Sequence, residues 1–256
     1  DMEWTLDGYY GKAKNQTRFY GREIQDRVPS PGSWFDEIEV KSGGLVLTAR
    51  GLDNVFRVGV HHAKVSKLGG MARDIPYVAN VFGPGVGFYD VRRAELWDDV
   101  DIPVQTAGAS VLLPGSVRLT GEYARTKFAA ASAGLNRWGA YLAVSRQFGI
   151  WNPYVYYAKS KSTDSSLGLY NAINQNLTPS PSVNDFQKLN ADIVLAYDQW
   201  TGAIGTSVRV TPRSLIKAEF SQTNTGQVSS FVDAPSGGDS ANKRINIVSL
   251  SYSFSF

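Results

Sequence analysis

From Val117 to Thr126 the chain reads VRLTGEYART, with Val117, Leu119 and Tyr123 on one side and Arg118, Thr120, Glu122 and Thr126 on the other. A period of two marks a strand with one apolar and one polar face. The same period runs through 137–145, where Trp138, Ala140, Leu142 and Val144 alternate with Arg137, Gly139, Tyr141, Ala143 and Ser145. It recurs over 203–210 and 216–221, less cleanly over Trp4–Lys14, Phe35–Arg50, Asn54–Lys67, Asp101–Leu113 and Pro153–Ser162, and again over Asn242–Phe256. No segment holds a helical period long enough to predict a long helix. About ten strands are expected, many near ten residues, where about five or six is usual in globular domains. A tilted strand of roughly that length crosses a bilayer.

The connections sort into two kinds. Gly51-Leu52-Asp53-Asn54, Leu113-Pro114-Gly115-Ser116, Phe148–Pro153 and Thr211-Pro212-Arg213-Ser214 are short and rich in turn residues. Between them fall longer connections at about 15–33, 68–100, 163–196 and 226–241, with a shorter one near 129–135. A barrel in an outer membrane has tight periplasmic turns and long outer loops. The expectation is one all-β domain over residues 1–256, an antiparallel transmembrane β-barrel with apolar residues against lipid and polar ones around a wet lumen. Arg57, Arg118, Glu122, Arg137, Lys159, Arg209, Lys217 and Glu219 are the candidate lumen residues, with Asp7 and Lys161. Trp138, Phe148, Trp151, Tyr154, Tyr156, Trp200, Tyr252, Phe254 and Phe256 lie near strand ends, as an aromatic girdle would.

Composition narrows the other readings. No run approaches 18 apolar residues, so no transmembrane helix is expected, and Asp1-Met2-Glu3 does not open a signal peptide. With no cysteine, disulfide scaffolds and thiolate metal sites are excluded. A net charge of +3 without a Lys/Arg run does not point to nucleic acid. His61 and His62 are adjacent, hence on opposite faces of a strand, and cannot join one metal or catalytic site. A Ser66 or Asp53 partnership with His61 has no supporting spacing. Gly83–Phe88 is glycine-rich but neither follows a strand nor opens a helix, so a phosphate loop fails its context. Glu95, Asp98, Asp99 and Asp101 suggest a solvated acidic loop, a calcium site, or a segment folded into the lumen. No enzyme activity, cofactor or metal is expected.

The terminal SLSYSFSF, Ser249–Phe256, resembles the carboxyl-terminal signature of Gram-negative outer-membrane proteins, whose last aromatic residue is read by the barrel assembly machinery. Thr211–Gln222 followed by Lys243–Leu250 resembles the last hairpin of Gram-negative porins, and Trp4–Ala13 resembles a strand from the middle of such a porin. The resemblance implies a porin-like barrel, commonly sixteen-stranded and commonly a homotrimer, in contact with outer-membrane lipid and lipopolysaccharide. It makes Tyr252, Phe254 and Phe256 the assembly signal. Ten strands would give a narrow lumen, so further strands are expected upstream of residue 1; an intact mature protein of no more than 28.0 kDa would overturn that. The expected function is passive diffusion of small hydrophilic solutes, with a mild preference for anions from the excess of basic wall residues. The alternative is a structural or translocation barrel, an autotransporter-type anchor or the sheath of a larger complex. The strand-like start at Asp1–Lys14 favours the channel, since an anchor would thread a helix there.

Overall fold

A computed structural model of the chain describes residues 2–24, 32–72, 74–127, 136–235 and 237–255. Three strands, β1 (Glu3–Gly21), β2 (Gly32–Arg50) and β3 (Val55–Ala72), are followed by a small hairpin of β4 (Tyr77–Val78) and β5 (Phe88–Tyr89). Then come β6 (Leu96–Leu113), β7 (Val117–Thr126), β8 (Arg137–Arg146), β9 (Trp151–Ser162), β10 (Tyr197–Thr211), β11 (Ser214–Ser229) and β12 (Arg244–Phe254). Apart from the hairpin, they form one ten-stranded antiparallel sheet in which each strand pairs with its neighbours in sequence. The expected connection near 129–135 and the residue Phe256 lie outside the described residues.

The expected short connections are tight turns. Gly51 N–H donates to the Asn54 carbonyl at 2.8 Å, and Gly115 and Ser116 turn the chain with φ of 78° and 59°. A glycine takes such a φ without the clash a Cβ would bring. Phe148 and Trp151 exchange backbone hydrogen bonds of 2.7 and 2.9 Å, and the hydroxyls of Thr211 and Ser214 meet at 2.8 Å. The other end differs from expectation. β1 runs on to Gly21 and β6 begins at Leu96, so Asp98, Asp99 and Asp101 are strand residues, not a loop. Polar pairing extends the ladder there: the Lys64 ammonium meets the Asp99 carboxylate at 2.6 Å, and the His62 ring meets Asp101 at 3.3 Å.

β1 and β12 are the two edges of the sheet. Nine strand steps at about 4.8 Å would hold them roughly 43 Å apart if the sheet were flat. Yet Arg18 of β1 makes two hydrogen bonds, 2.8 and 2.6 Å, to the carboxylate of Asp233 in the β11–β12 connection. Tyr20 O–H adds a 3.4 Å bond to the Ala234 carbonyl. The sheet is therefore rolled. β1 meets the β11–β12 connection through side chains, and no backbone pairing between β1 and β12 closes the sheet among the described residues.

Above that end sits a cap that the alternation did not predict. The connection after β9 contains α1 (Asp164–Asn174) and α2 (Pro181–Ile193). Proline suits the first helical position of α2, where its missing N–H costs nothing. Leu167, Tyr170 and Ile173 bury one side of α1 against Ile75, Ala191, Val194, Ala196 and Val228. Gln187 is fully buried and clamps β5, accepting from Tyr89 N–H at 2.9 Å and donating to its carbonyl at 2.6 Å. The buried apolar cluster of the molecule thus lies in the cap, not behind the sheet.

The cap is pinned to β1 by a buried ion pair. The Arg22 side chain is 6% exposed and that of Asp192 12%, with contacts of 2.5 to 3.0 Å between them. Arg22 also donates to Tyr170 O–H at 3.1 Å. Burial would favour a neutral guanidine, but the bonds to Asp192 outweigh it and hold Arg22 charged more firmly than usual. Burial pushes the Tyr170 hydroxyl above its ordinary value.

Candidate functional site

Residues paired across antiparallel strands share a face, so the register assigns each strand residue to one of two surfaces. On one surface lie Leu6, Leu47, Val58, Ala107, Leu119, Leu142, Val155, Ile204, Phe220, Val248 and Leu250. Apart from the half-buried Leu119 they are bare: Ile204 is 60% exposed and Leu250 77%. Trp4, Phe56, Trp151, Tyr252 and Phe254 bound this apolar band at the tight turns, all on its face. Tyr10, Tyr123, Trp138, Tyr157 and Trp200 bound it on the other side, Tyr123 stacking on Trp138 and Tyr157 on Trp200. Beyond them the same face turns charged, with Lys12 at 2.8 Å from Glu39 and Lys14 at 3.1 Å from Glu37.

The opposite surface is polar. It carries Asp7, Arg57, His61, Thr106, Ser110, Arg118, Thr120, Glu122, Tyr141, Arg209, Lys217, Glu219, Ser249, Ser251 and Ser253. Part of it, around Arg57, Thr106, Ser110, Thr120, Glu122 and Tyr141, lines a recess of about 630 Å³.

Glycines let long side chains on this surface lie flat across a whole strand. Tyr9 of β1 reaches over Gly44 of β2 to His61 of β3, with its hydroxyl 3.0 Å from Nδ1. A Cβ on Gly44 would stand 2.5 Å from that ring, and one on Gly59 2.6 Å from it. His61 Nε2 continues to Thr106 Oγ1 at 3.0 Å. On the far side Tyr154 of β9 crosses Gly205 of β10 and donates to Glu219 of β11 at 2.5 Å. Tyr156 reaches the same carboxylate at 3.3 Å, and Lys217 completes the group at 3.1 Å. Gly108 stands between Arg57 and Glu122, and a Cβ there would touch Glu122 Cγ at 3.0 Å. A side chain at any of these glycines would displace the group above it.

The expected wall residues divide accordingly. Arg57, Arg118, Glu122, Arg137, Arg209, Lys217 and Glu219 share the polar surface. Arg118 donates to the Asp53 carbonyl at 3.0 Å and to Ser110 Oγ at 3.1 Å, whereas Arg57 and Arg209 have no side-chain partner among the described residues. Arg137 sits at the cap end, with its guanidinium 4.6 Å from the centre of the Tyr197 ring. Lys159 and Lys161 are corrections: they stand on the apolar face, in register with Ala140 and Trp138. Tyr154 and Tyr156 are corrections in the other direction, leaving the aromatic girdle for the polar surface. The run Tyr154-Val155-Tyr156-Tyr157 carries no polar/apolar period, so the sequence left the two faces of β9 undistinguished. Ser66 hydrogen-bonds Asp99 on the face away from His61.

No family model matches the chain, and no curated protein matches it. Among solved structures it is similar to the crystal structure of Pseudomonas aeruginosa OccK10 (OpdN), at 12% identity and a TM-score of 0.33. That alignment covers 98% of this chain and 95% of the other.

Sequence reasoning missed the glycine crossings, the Tyr9–His61–Thr106 chain and the Arg22–Asp192 lock. For the crossings a signal exists: each glycine falls at a polar-face position of an otherwise regular alternation. For Arg22 and Asp192, 170 residues apart, no local pattern carries one.

Proposed function

We propose that the protein is a porin-like channel of the Gram-negative outer membrane, passing small hydrophilic solutes by passive diffusion with a mild preference for anions. The observation that carries this reading is the pair of opposed faces held in one register: an uncovered apolar band bounded by aromatics on one side, a wet ionic surface on the other. Monomeric soluble proteins rarely expose apolar patches beyond a few hundred Å². Between its two edges the rolled antiparallel sheet satisfies its backbone polar groups by pairing, as a hydrocarbon environment demands, and closure would satisfy those of β1 and β12. On this reading the apolar band faces lipid, the polar surface faces a lumen, and the cap lies at the outer mouth. Closure into a full barrel, assembly as a homotrimer, and reading of Tyr252, Phe254 and Phe256 by the assembly machinery belong to the same proposal.

Anion preference is supported by Arg57 and Arg209, whose guanidiniums have no acidic partner among the described residues, whereas Lys217 is offset by Glu219. Purified protein in a planar bilayer should give stable ohmic steps, with a reversal potential displaced towards the anion under a salt gradient. Silence would overturn the channel and favour the anchor. Arg57→Ala together with Arg209→Ala should move the reversal towards the cation; an unmoved reversal would refute the assignment of those residues to the pore.

A further inference from the structure

We propose that the outward corner of β7, β8 and β9 holds the phosphate of an anionic bilayer lipid, gripped by Arg125, Lys159 and Lys161 beside Trp138 and Trp200. The inference rests on the membrane reading above. Register places Arg125, Trp138, Lys161 and Asp198 in one row across four strands, with Tyr123, Ala140, Lys159 and Trp200 in the next. Arg125 and Lys161 are two strand steps apart, about 10 Å, and Lys159 is one repeat of about 7 Å below Lys161. Their flexible ends can converge on one phosphate from such spacings, with the guanidinium supplying a two-pronged contact.

Charge balance singles this corner out. On the first strands the outward cations are answered by acids, as in Lys12–Glu39, Lys14–Glu37 and Lys64–Asp99. Arg125 and Lys159 have no acidic partner among the described residues. Lys161 has only the exposed Asp164 at 3.8 Å. Asp198, beside Lys161 in the row, accepts the backbone N–H of Gln227 at 3.1 Å. Lys127, two residues past Arg125 and with its N–H bonded to the Pro103 carbonyl at 3.2 Å, adds a further positive charge beside the row.

The occupant follows from what lies on each side. Below the cations the surface is bare Leu142, Val155 and Ile204, a bed for acyl chains with nowhere for a free anion to be enclosed. Tryptophans flank the cations as they do at a headgroup layer, and lysine stems run along apolar surface while their ends reach the polar zone. A ligand with a phosphate above and hydrocarbon below fits both halves at once.

The test uses the full chain in phosphatidylcholine vesicles, with tryptophan fluorescence quenched by brominated phosphatidylglycerol or brominated phosphatidylcholine. The native protein should be quenched preferentially by the anionic lipid. In Arg125→Gln/Lys159→Gln/Lys161→Gln the preference should fall by about fivefold for each cation removed. Arg125→Lys/Lys159→Arg should keep it, and Lys12→Gln/Glu39→Gln, which removes a neutralised pair, should leave it intact. A far-UV spectrum matching the native one certifies that each variant is folded. Equal quenching by both lipids, or a preference that survives the triple variant, overturns the phosphate site while leaving the membrane reading standing. Competition by millimolar inorganic phosphate overturns the lipid as its occupant. Absence of quenching by either lipid overturns the membrane reading itself, and the site with it.

Discussion

Replacing Asp192 with alanine should open the cap without dissolving the sheet. The substitution strands the guanidinium of Arg22, whose side chain is 6% exposed, with Tyr170 O–H as its remaining side-chain partner among the described residues. Breaking one side of a buried ion pair typically costs about 3–5 kcal/mol, because the surviving charge keeps its desolvation penalty and loses its counter-charge. That energy falls on the contact between α2 and β1, while the strand ladder is untouched. At about 1.4 kcal/mol per decade, the opening equilibrium of α1 and α2 should rise by roughly 140-fold to several thousandfold. Hydrogen exchange read by mass spectrometry on peptides from 164–193 measures it, with peptides from β7 to β9 as the internal reference. Arg22→Met/Asp192→Leu should recover most of the protection, since an apolar pair of similar volume avoids burying charge at all. A rise below about tenfold in Asp192→Ala, or a double variant no better protected than the single, would show that Arg22 does not pin the cap.

Glu219→Gln should strengthen anion selectivity, because it removes the charge that offsets Lys217 and is bonded by Tyr154; reversal potential measures it, and a shift towards the cation would contradict the geometry. Gly205→Val should displace Tyr154, whose hydroxyl oxygen would clash with the new Cβ, lowering the thermal midpoint and altering single-channel conductance; an unchanged midpoint and conductance would refute the crossing. Asp90 is buried and bonded by Arg92, which holds its carboxyl below the ordinary value of 3.8. A lowered folded value means its contribution is complete above 3.8 and fades as pH falls through the folded value. Exchange of the β5 amides should therefore accelerate only in acid, and Asp90→Asn should abolish that acid step. Replacing Phe254 with Asp should reduce membrane insertion, measured as surface level in cells; an undiminished level would count against its place on the lipid face.

Most of the sheet was legible because a period of two is a local property. Val117–Thr126 reveals its faces without any partner, and Gly115, Gly149 and Pro212 mark where tight turns must fall. Legibility failed where locality fails. In β9 the run Tyr154–Tyr157 is apolar on both parities, so only pairing with β8 and β10 separates Tyr156 from Tyr157. α1 and α2 bury a few residues each, too short a stripe to stand out from a polar connection, and their burial depends on Ile75 and Val228 from elsewhere in the chain. The rolling of the sheet rests on Arg18 meeting Asp233, 215 positions away. Asp99 read as a loop residue because charge suggests solvent, but in a cross-strand ladder opposite charge is a pairing rule, and Lys64 answers it.

The length of β1 carries a mechanical consequence. On the barrel reading the hydrocarbon ends near Tyr10, leaving Gly11 to Gly21 as paired strand beyond it. At about 3.3 Å per residue and a tilt near 40°, that length rises roughly 28 Å above the apolar band. The ionic lock between Arg22 and Asp192 stands at the top of this turret, clear of the lipid headgroups by more than the ~8 Å over which salt screens a charge. A bilayer that thickens, thins or changes its headgroups therefore works on the base of the wall, and the mouth rides above it, insulated from the membrane that carries it.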